Sequence, residues 1–461
     1  MVKVLERHQV YPAPGGVDEM SIPLTFLDLI QLPAGSTKLL LFFELPISTD
    51  LFTKYAVPSI KNSLSLALKH TLPLAGNLIY PPNFEMPQIR YVKGDSMPLV
   101  FAESEDDFDH LTGNHARNAS VFHSFVPELP PVSMASDEPV IPITAIQITL
   151  FPNSGICIGL NNIHAVCDGN TFFSCLKLWG SILQSGETAF SSSGSKLLPF
   201  YDKTPLKDPR WTELEATFWN QAKQKKCAGP AKSLSANNVI ATFIMPQNSI
   251  EELKKQVTAQ YPTLSHVTAF TVTCGQVWSC MVKANVSCKE EMDKEDEEEH
   301  FGFWADLRRR LSPPLPENYF GNCLITCIAN AKRSELEKED GFVFAAKGIG
   351  EAFEKKVNDI GRSWEDSKSW MDDMDFALGR KPEVTVGVAA SPRFHLKYEG
   401  GGIGRLKKIE HIEHISNDGT IYFSLGSSLD KEGDLEIGLS LPILKMEAFA
   451  HFYNEGIKLN E

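Results

Sequence analysis

The chain has 461 residues, 43% of them hydrophobic and 22% charged, with a formal charge of −14 at pH 7. That length exceeds one ordinary core and implies two or three domains of soluble, globular composition. The acidic balance argues against nucleic acid as the main partner, because phosphate binding wants a basic surface. No run approaches the ~20 apolar residues of a membrane span. The opening residues MVKVLERHQVYPAPGG lack the apolar core of a secretory leader. Asn118 and Asn285 stand in Asn-x-Ser and are read as chance matches. The nine cysteines are odd in number, lie mostly in apolar runs and show no paired CxxC spacing. They are expected to be reduced, buried thiols in a cytoplasmic protein, not disulfides or zinc ligands.

In chain order, residues 2–12 have strand character, and Leu39–Leu45 reads as a buried strand. Phe52–His70 places Val57, Ile60, Leu64 and Leu68 at helical period, with Pro58 early enough to be tolerated. Residues 88–101 and 138–163 add strands, separated by an acidic loop and a Pro-rich one. Within the second region Ile156, Ile158 and Leu160 alternate with small or polar residues, as on a half-buried strand. The run then reaches His164-Ala165-Val166-Cys167-Asp168-Gly169. Gly169 permits a tight turn, and Asn170 or Thr171 can cap the helix that carries Phe172, Leu176, Trp179 and Leu183. A Ser/Gly run and scattered prolines over 191–212 mark a linker between an N-terminal domain, 1–190, and a C-terminal one, 213–461.

The second half repeats the α/β alternation. Asn238–Met245 reads as a strand, Ile250–Tyr261 as a helix and Ser265–Ala284 as a long apolar helix. Residues 289–299 form a solvated acidic loop. Phe301–Leu311 reads as a strand with Arg308, Arg309 and Arg310 near its end. Helices over Phe342–Phe353 and Lys356–Trp370, three strand-like runs and a final helix, Ile443–Ile457, close the chain.

A histidine held at a strand end and backed by a packed helix is well placed to act as a general base. The His-x-x-x-Asp spacing alone is weak. With 12 His in the chain, and Asp at about one residue in twenty, one chance match is roughly as likely as not. A second match, His414 to Asp418, lies between two strand-like runs, Ile409–Ile415 and Thr420–Leu425. Its Asn417-Asp418-Gly419 reads as a hairpin turn.

Longer blocks carry more information. They are Pro23-Leu24-Thr25-Phe26 with Asp28, and Ser63-Leu64-Ser65-Leu66 through Pro73-Leu74-Ala75-Gly76-Asn77. Ala305-Asp306-Leu307-Arg308 leads into Pro313 through Tyr319-Phe320-Gly321-Asn322-Cys323, and Ser391-Pro392-Arg393-Phe394 follows. With the box at His164 and the C-terminal Glu436–Leu439 and Met446–Phe449, the chain resembles the plant BAHD acyl-CoA-dependent acyltransferases over nearly its whole length. Tyr-Phe-Gly-Asn-Cys marks the branch that acylates anthocyanins and other flavonoid glycosides.

The resemblance implies two similar-sized, chloramphenicol-acetyltransferase-like α/β domains, each a mixed sheet with helices, around a channel that admits acyl-CoA and acceptor from opposite faces. His164 would sit mid-channel as general base in a ternary complex. Asp168 would point away and pair with Arg308, supporting the loop with Gly169, and Cys167 would be packing. Thr268 matches a position near CoA, and Lys223, Lys225 and Lys226 are candidates for its phosphates, although a solvated helix face explains them more simply. The implied protein is a cytoplasmic monomer with acyl-CoA as co-substrate, a small-molecule acceptor, no metal, and no nucleic acid or membrane partner.

The chain departs from the family at its second box, Asp-Phe-Gly-Trp-Gly. The expected interval after Phe394 lands on Gly400-Gly401-Gly402-Ile403-Gly404, followed by Arg405. Only two glycines and the arginine survive, which implies a more mobile loop and bears on CoA binding. The implied activity is transfer of a malonyl, acetyl or hydroxycinnamoyl group to a hydroxyl or amine of a plant specialised metabolite, flavonoid glycoside, alkaloid or terpenoid. The alternatives are a repurposed enzyme using His164 for cyclisation, isomerisation or hydrolysis, and a catalytically silent binding protein.

Overall fold

The computed structural model describes residues 1–80, 86–135, 138–193, 197–206, 209–222, 237–288, 297–362, 386–389, 403–412 and 421–458. Among these, a six-stranded sheet runs in the order Val2–Val10, Met97–Ser104, Thr144–Phe151, Gly155–Ile163, Ser36–Glu44, Arg405–His411. A seven-stranded sheet runs Leu324–Lys332, Glu298–Asp306, Val386–Val388, Ile421–Ser427, Leu435–Pro442, Asn238–Met245, Arg117–Asn118. A third sheet has five short strands. Both large sheets mix parallel and antiparallel pairs, so the expected two-domain α/β architecture is present.

Two strands cross between the halves. Arg117–Asn118 adds to the edge strand Asn238–Met245, and Arg405–His411 pairs antiparallel with Ser36–Glu44. A buried ion pair, Arg117 Nη1 to Glu410 Oε1 at 2.7 Å, joins the two crossing segments. This exchange corrects the hairpin expected around Asn417-Asp418-Gly419. Residues 413–420 lie outside the described residues, but the strands on either side belong to different sheets. A turn signal reports only local chain reversal. Which strand each arm pairs with depends on the apolar face it must bury.

The strand Gly155–Ile163 is also more central than its alternation suggests. Every residue from Gly155 to Asn162 is buried. Ile156, Ile158 and Leu160 face the main core, while Cys157 faces a second cluster of Phe42, Phe108, Phe122, Phe125 and Phe151. With apolar packing on both sides, the small residues at alternate positions report close approach, not solvent.

In the second half the helix Ala269–Ser287 is buried on nearly all sides and packs against the helix Gly341–Arg362. That single helix replaces the expected break near 354, and its expected continuation to Trp370 lies outside the described residues. A Cβ at Gly275 would come within 2.8 Å of the Ala346 nitrogen, so glycine is what lets these two backbones meet. Eight described cysteines are free, seven of them buried and Cys288 exposed; Cys227 lies outside the described residues.

Candidate active site

The central strand ends at Ile163, and His164–Val166 form a single 3₁₀ turn before the helix Gly169–Ser193. The His164 amide donates to the Gly35 carbonyl at 2.9 Å, which fixes the backbone at the point where the strand stops. The side chain is half-buried, and its Nδ1 is sealed from solvent with no hydrogen-bond partner among the described residues. Burial pushes the imidazole below the ordinary histidine range. The His164 carbonyl, the Asp168 charge and the Asn322 side chain oppose that shift without cancelling it. The ring is therefore neutral at neutral pH and free to take up a proton.

Asp168 does two jobs. Its Oδ1 accepts from the Thr171 amide at 3.0 Å, so Asp168, and not Asn170 or Thr171, caps the helix. The hydroxyl of Thr171 is engaged elsewhere, donating to the Tyr319 and Gly321 carbonyls at 3.0 Å each. Asn170 donates its side-chain amide to the Glu317 carbonyl. Gly169 is the first helical residue and has no positive φ, so the left-handed freedom of glycine is not used there. The carboxylate of Asp168 meets Arg308 in a fork, Nη1 to Oδ2 at 2.7 Å and Nη2 to Oδ1 at 3.0 Å. It also accepts from the Cys323 amide at 3.0 Å. Burial alone would raise this carboxyl, but the Arg308 charge and these hydrogen bonds hold it below the usual range.

Arg308 does not stand on a strand as expected. The strand ends at Asp306, and Arg308, Arg309 and Arg310 occupy the turn that follows. The Asp306 side chain accepts from the Arg308 amide at 2.8 Å, stopping the ladder and swinging the guanidinium inward. Arg309, by contrast, is exposed and pairs with Glu317.

A second buried carboxylate sits below the first and was not assigned a role from the sequence. Asp28 accepts from the amide and hydroxyl of Thr25, from Lys203 Nζ at 3.1 Å, and from the backbone and side-chain amides of Asn322 at 2.7 and 3.1 Å. Lys203 comes from the crossover segment and is only 6% exposed against 1% for Asp28. The same segment pairs Phe200 with Asn318 and Phe320 and sends the Tyr201 hydroxyl to the His70 carbonyl. Thr25 and Asp28, the crossover and the Tyr319–Cys323 block therefore converge under His164. The available signal was polar residues inside otherwise apolar blocks.

Cys167 is buried beside the site, with the Asn162 amide 3.6 Å from its sulfur. Burial pushes its thiol well above the usual range, so the thiolate a nucleophile needs is absent near neutral pH. Thr268 caps the helix Ala269–Ser287, accepting from the Thr271 amide at 3.2 Å. Lys223, Lys225, Lys226 and Arg393 lie outside the described residues.

Of the divergent box, Gly400 and Gly402 lie outside the described residues, so the expected mobility of that stretch does too. Ile403 is buried in the main core. Gly404 has a φ of +105°, and a Cβ there would come within 2.0 Å of the Glu44 carbonyl. Arg405 opens the crossing strand and forks onto Glu44 at 2.8 and 3.1 Å, and these hydrogen bonds, with Lys407 at 3.2 Å, hold that carboxyl down at about 2. The described end of the box thus fastens one half to the other. Gly404→Ala is expected to destabilise the fold by about 1–3 kcal/mol in urea melts, since it adds a clash to a strained φ. Arg405→Ala, which removes an exposed pair, should change it by less than about 1 kcal/mol.

A family profile described as "Transferase family" matches residues 1–455. The malonyl-coenzyme:anthocyanin 5-O-glucoside-6'''-O-malonyltransferase of Salvia splendens is 40% identical over 453 residues, 97% of this chain and 94% of that protein. Phenolic glucoside malonyltransferase 1 of Nicotiana tabacum is 39% identical over 461 residues, 99% of each chain. Among solved structures, vinorine synthase superposes with a TM-score of 0.69 at 16% identity, covering 97% of this chain and 96% of its own. TRI101 of F. graminearum, complexed with ethyl coenzyme A, gives 0.63 at 14% identity over 93% and 96%. These two show a shared fold. The family profile and the full-length relatives establish that the chain belongs to the BAHD acyltransferase family, alongside its anthocyanin and phenolic-glucoside branch, and is an acyltransferase.

Proposed function

We propose that this enzyme transfers a malonyl group from malonyl-CoA to a sugar hydroxyl of a phenolic or flavonoid glucoside, with His164 as general base. The observation that carries the mechanism is the placement of His164, its amide bonded to the Gly35 carbonyl where the strand stops and its Nδ1 sealed from solvent. His164 takes the proton of the attacking hydroxyl as the oxygen adds to the thioester carbonyl. Collapse of the tetrahedral adduct breaks the carbon–sulfur bond, and the leaving thiolate takes the proton back. No acyl-enzyme is required, which agrees with a protonated Cys167. Malonyl as donor is supported by the malonyltransferases among the relatives at 38–40% identity; relatives at 33% carry coumaroyl in their names.

In this reading the halves 1–190 and 213–461 flank a channel that CoA and acceptor enter from opposite sides, with 191–212 as the crossover. CoA lies at the start of the Ala269–Ser287 helix that Thr268 caps, where the positive end of the helix dipole favours phosphate. The enzyme works as a cytoplasmic monomer. Among the described residues no helix is long and apolar enough to cross a membrane.

The test is incubation with malonyl-, acetyl- and coumaroyl-CoA against a panel of glucosides, following thiol release and product mass. Fastest release with malonyl-CoA and a mass gain on the sugar is expected. Product formed without any CoA ester would replace this reading with a repurposed enzyme. The pH profile of kcat/KM follows from the depressed imidazole: the base is lost on protonation, so the acid limb should fall below pH 6.5, leaving the rate flat just above it. The same shift makes the folded state bind fewer protons than the unfolded one. This contribution to stability is therefore complete above about pH 6.5, the ordinary histidine value, and is lost as pH falls toward the folded value.

A further inference from the structure

A cavity of about 300 Å³ lies at the same end of the six-stranded sheet as His164. That volume is at the lower end for small-molecule sites and equals about ten waters, the size of one sugar ring. Five of its lining side chains carry hydrogen-bonding groups: Gln9, Asn77, Asp95, Ser96 and Thr144. Together they supply two amides that donate and accept, two hydroxyls and one carboxylate that accepts. Their own bonds hold several of them in place. The Thr144 hydroxyl donates to Asn162 Oδ1 at 2.8 Å, the Ser96 hydroxyl to Gln9 Oε1 at 3.1 Å, and Asp95 Oδ2 accepts from the Val92 amide at 2.9 Å. Pro98, Pro130 and Pro142 stiffen the wall, so little chain has to be ordered on binding. Among the described residues that line the cavity, Asp95 alone is charged. A carboxylate or phosphate would meet its repulsion with no lining cation to offset it, which disfavours the malonyl group and CoA. No aromatic side chain lines it either, so a flavonoid ring system finds no stacking partner there. A neutral ring bearing several hydroxyls matches the mixture of donors and acceptors.

The cavity is one strand away from the catalytic loop. Ile143, which lines it, accepts from the Ile163 amide at 3.0 Å, and Thr144 stands opposite Asn162 on strands about 4.8 Å apart. His164 follows directly but is not part of the lining. A hydroxyl at the imidazole and a ring in the cavity therefore belong to neighbouring units of one acceptor. We propose that this cavity is a sugar subsite: it holds a second, unacylated sugar of a multiply glycosylated acceptor, while the sugar to be acylated lies at His164. Asp95 accepts from the hydroxyls of the held ring, and the Asn77 amide can serve as donor or acceptor to the same ring. The subsite selects acceptors by how many sugars they carry, independently of the acyl donor.

This inference rests on the acceptor being a glycoside, and its test separates the two readings. Saturation-transfer NMR of the whole wild-type enzyme with a phenolic diglucoside, and no CoA ester present, reads contact ring by ring without turnover. Saturation of both sugar rings is expected. Saturation confined to one sugar and the aglycone overturns the proposal, even if no variant folds. In steady-state kinetics with malonyl-CoA, Asp95→Ala should lower kcat/KM for the diglucoside about tenfold relative to the matching monoglucoside, the loss of one hydrogen bond to a charged group. Ser96→Phe, which fills the cavity, should change the same ratio in the same direction and remove the saturation of the second ring. A ratio that stays within about twofold of wild type in both variants, with both folded by thermal melting, overturns the proposal. Saturation of the second ring that Ser96→Phe abolishes, in a protein that releases no thiol from any acyl-CoA, would support the subsite and count against the acyl-transfer reading alone.

Discussion

Replacing His164 by alanine is expected to lower kcat by about 10²–10⁴-fold, the range a positioned general base contributes, while the protein folds and binds CoA as before. The fold should tolerate the change because, among the described residues, the buried Nδ1 of the ring bonds to no other element. The contact that matters to the architecture is the backbone amide to Gly35, which alanine retains. Removing a buried nitrogen without a partner also removes a desolvation cost, which offsets part of the lost packing. Thiol release measures the rate, and calorimetric titration with CoA measures binding. Retention of more than a tenth of the wild-type rate would show that another group takes the proton. Cys167 is excluded from that role by its own burial, so attention would turn to a substrate-assisted route.

Arg308→Ala is expected to cost about 3–5 kcal/mol of folding stability, the range for removing one partner of a buried ion pair. Asp168 would keep the Thr171 and Cys323 amides as donors but lose both arms of the fork. Thr171, Tyr319 and Gly321 would lose the donor that ties them together. Asp168→Asn keeps an oxygen for the helix cap, so the double variant Asp168→Asn/Arg308→Met should be more stable than Arg308→Ala, and urea midpoints give the comparison. The pH dependence has a definite sign. In the wild type Arg308 holds the Asp168 carboxyl below 3.8, so its contribution is present above that value and lost as pH falls through the lower, folded value. Without Arg308, burial dominates and raises that carboxyl. The variant should then regain stability relative to wild type as pH falls, because the buried group can be protonated. A deficit that stays constant from pH 8 to pH 5 would mean that Asp168 is hydrated in the variant and not stranded.

The two replacements separate chemistry from architecture at one six-residue box, the first at His164 itself and the second at Arg308, the partner of Asp168. They also bear on the divergent second box. Its described end, Ile403 to Arg405, contributes a core side chain, a close backbone approach and an exposed ion pair, all of which join the halves. None of these is a contact with the His164 imidazole, so the described end of the box acts on the architecture.

Several features were legible because they depend on few residues close in sequence. The strand run ending at His164, the helix behind it and the strand Asn238–Met245 follow from periodicity and turn chemistry. The family blocks carried the fold and the acyltransferase activity. Local errors arose where a side chain had two possible partners. Asp168 took the cap expected of Asn170 or Thr171 because its other oxygen is pinned by Arg308, which orients the carboxylate toward the first helical amides.

What the sequence by itself determined is the chemistry available: one histidine at a strand end, buried thiols that stay protonated, and alternating elements whose apolar faces demand two layered sheets. Only the tertiary structure decided which groups meet. Asp28 and Asn322 are 294 residues apart in the chain and His164 and Asn322 are 158 apart, yet they share hydrogen bonds. The strand Arg405–His411 leaves its own half to complete the other sheet. Such pairings are set by which buried polar groups can all be satisfied at once, a condition on the packed whole. No window of sequence contains it.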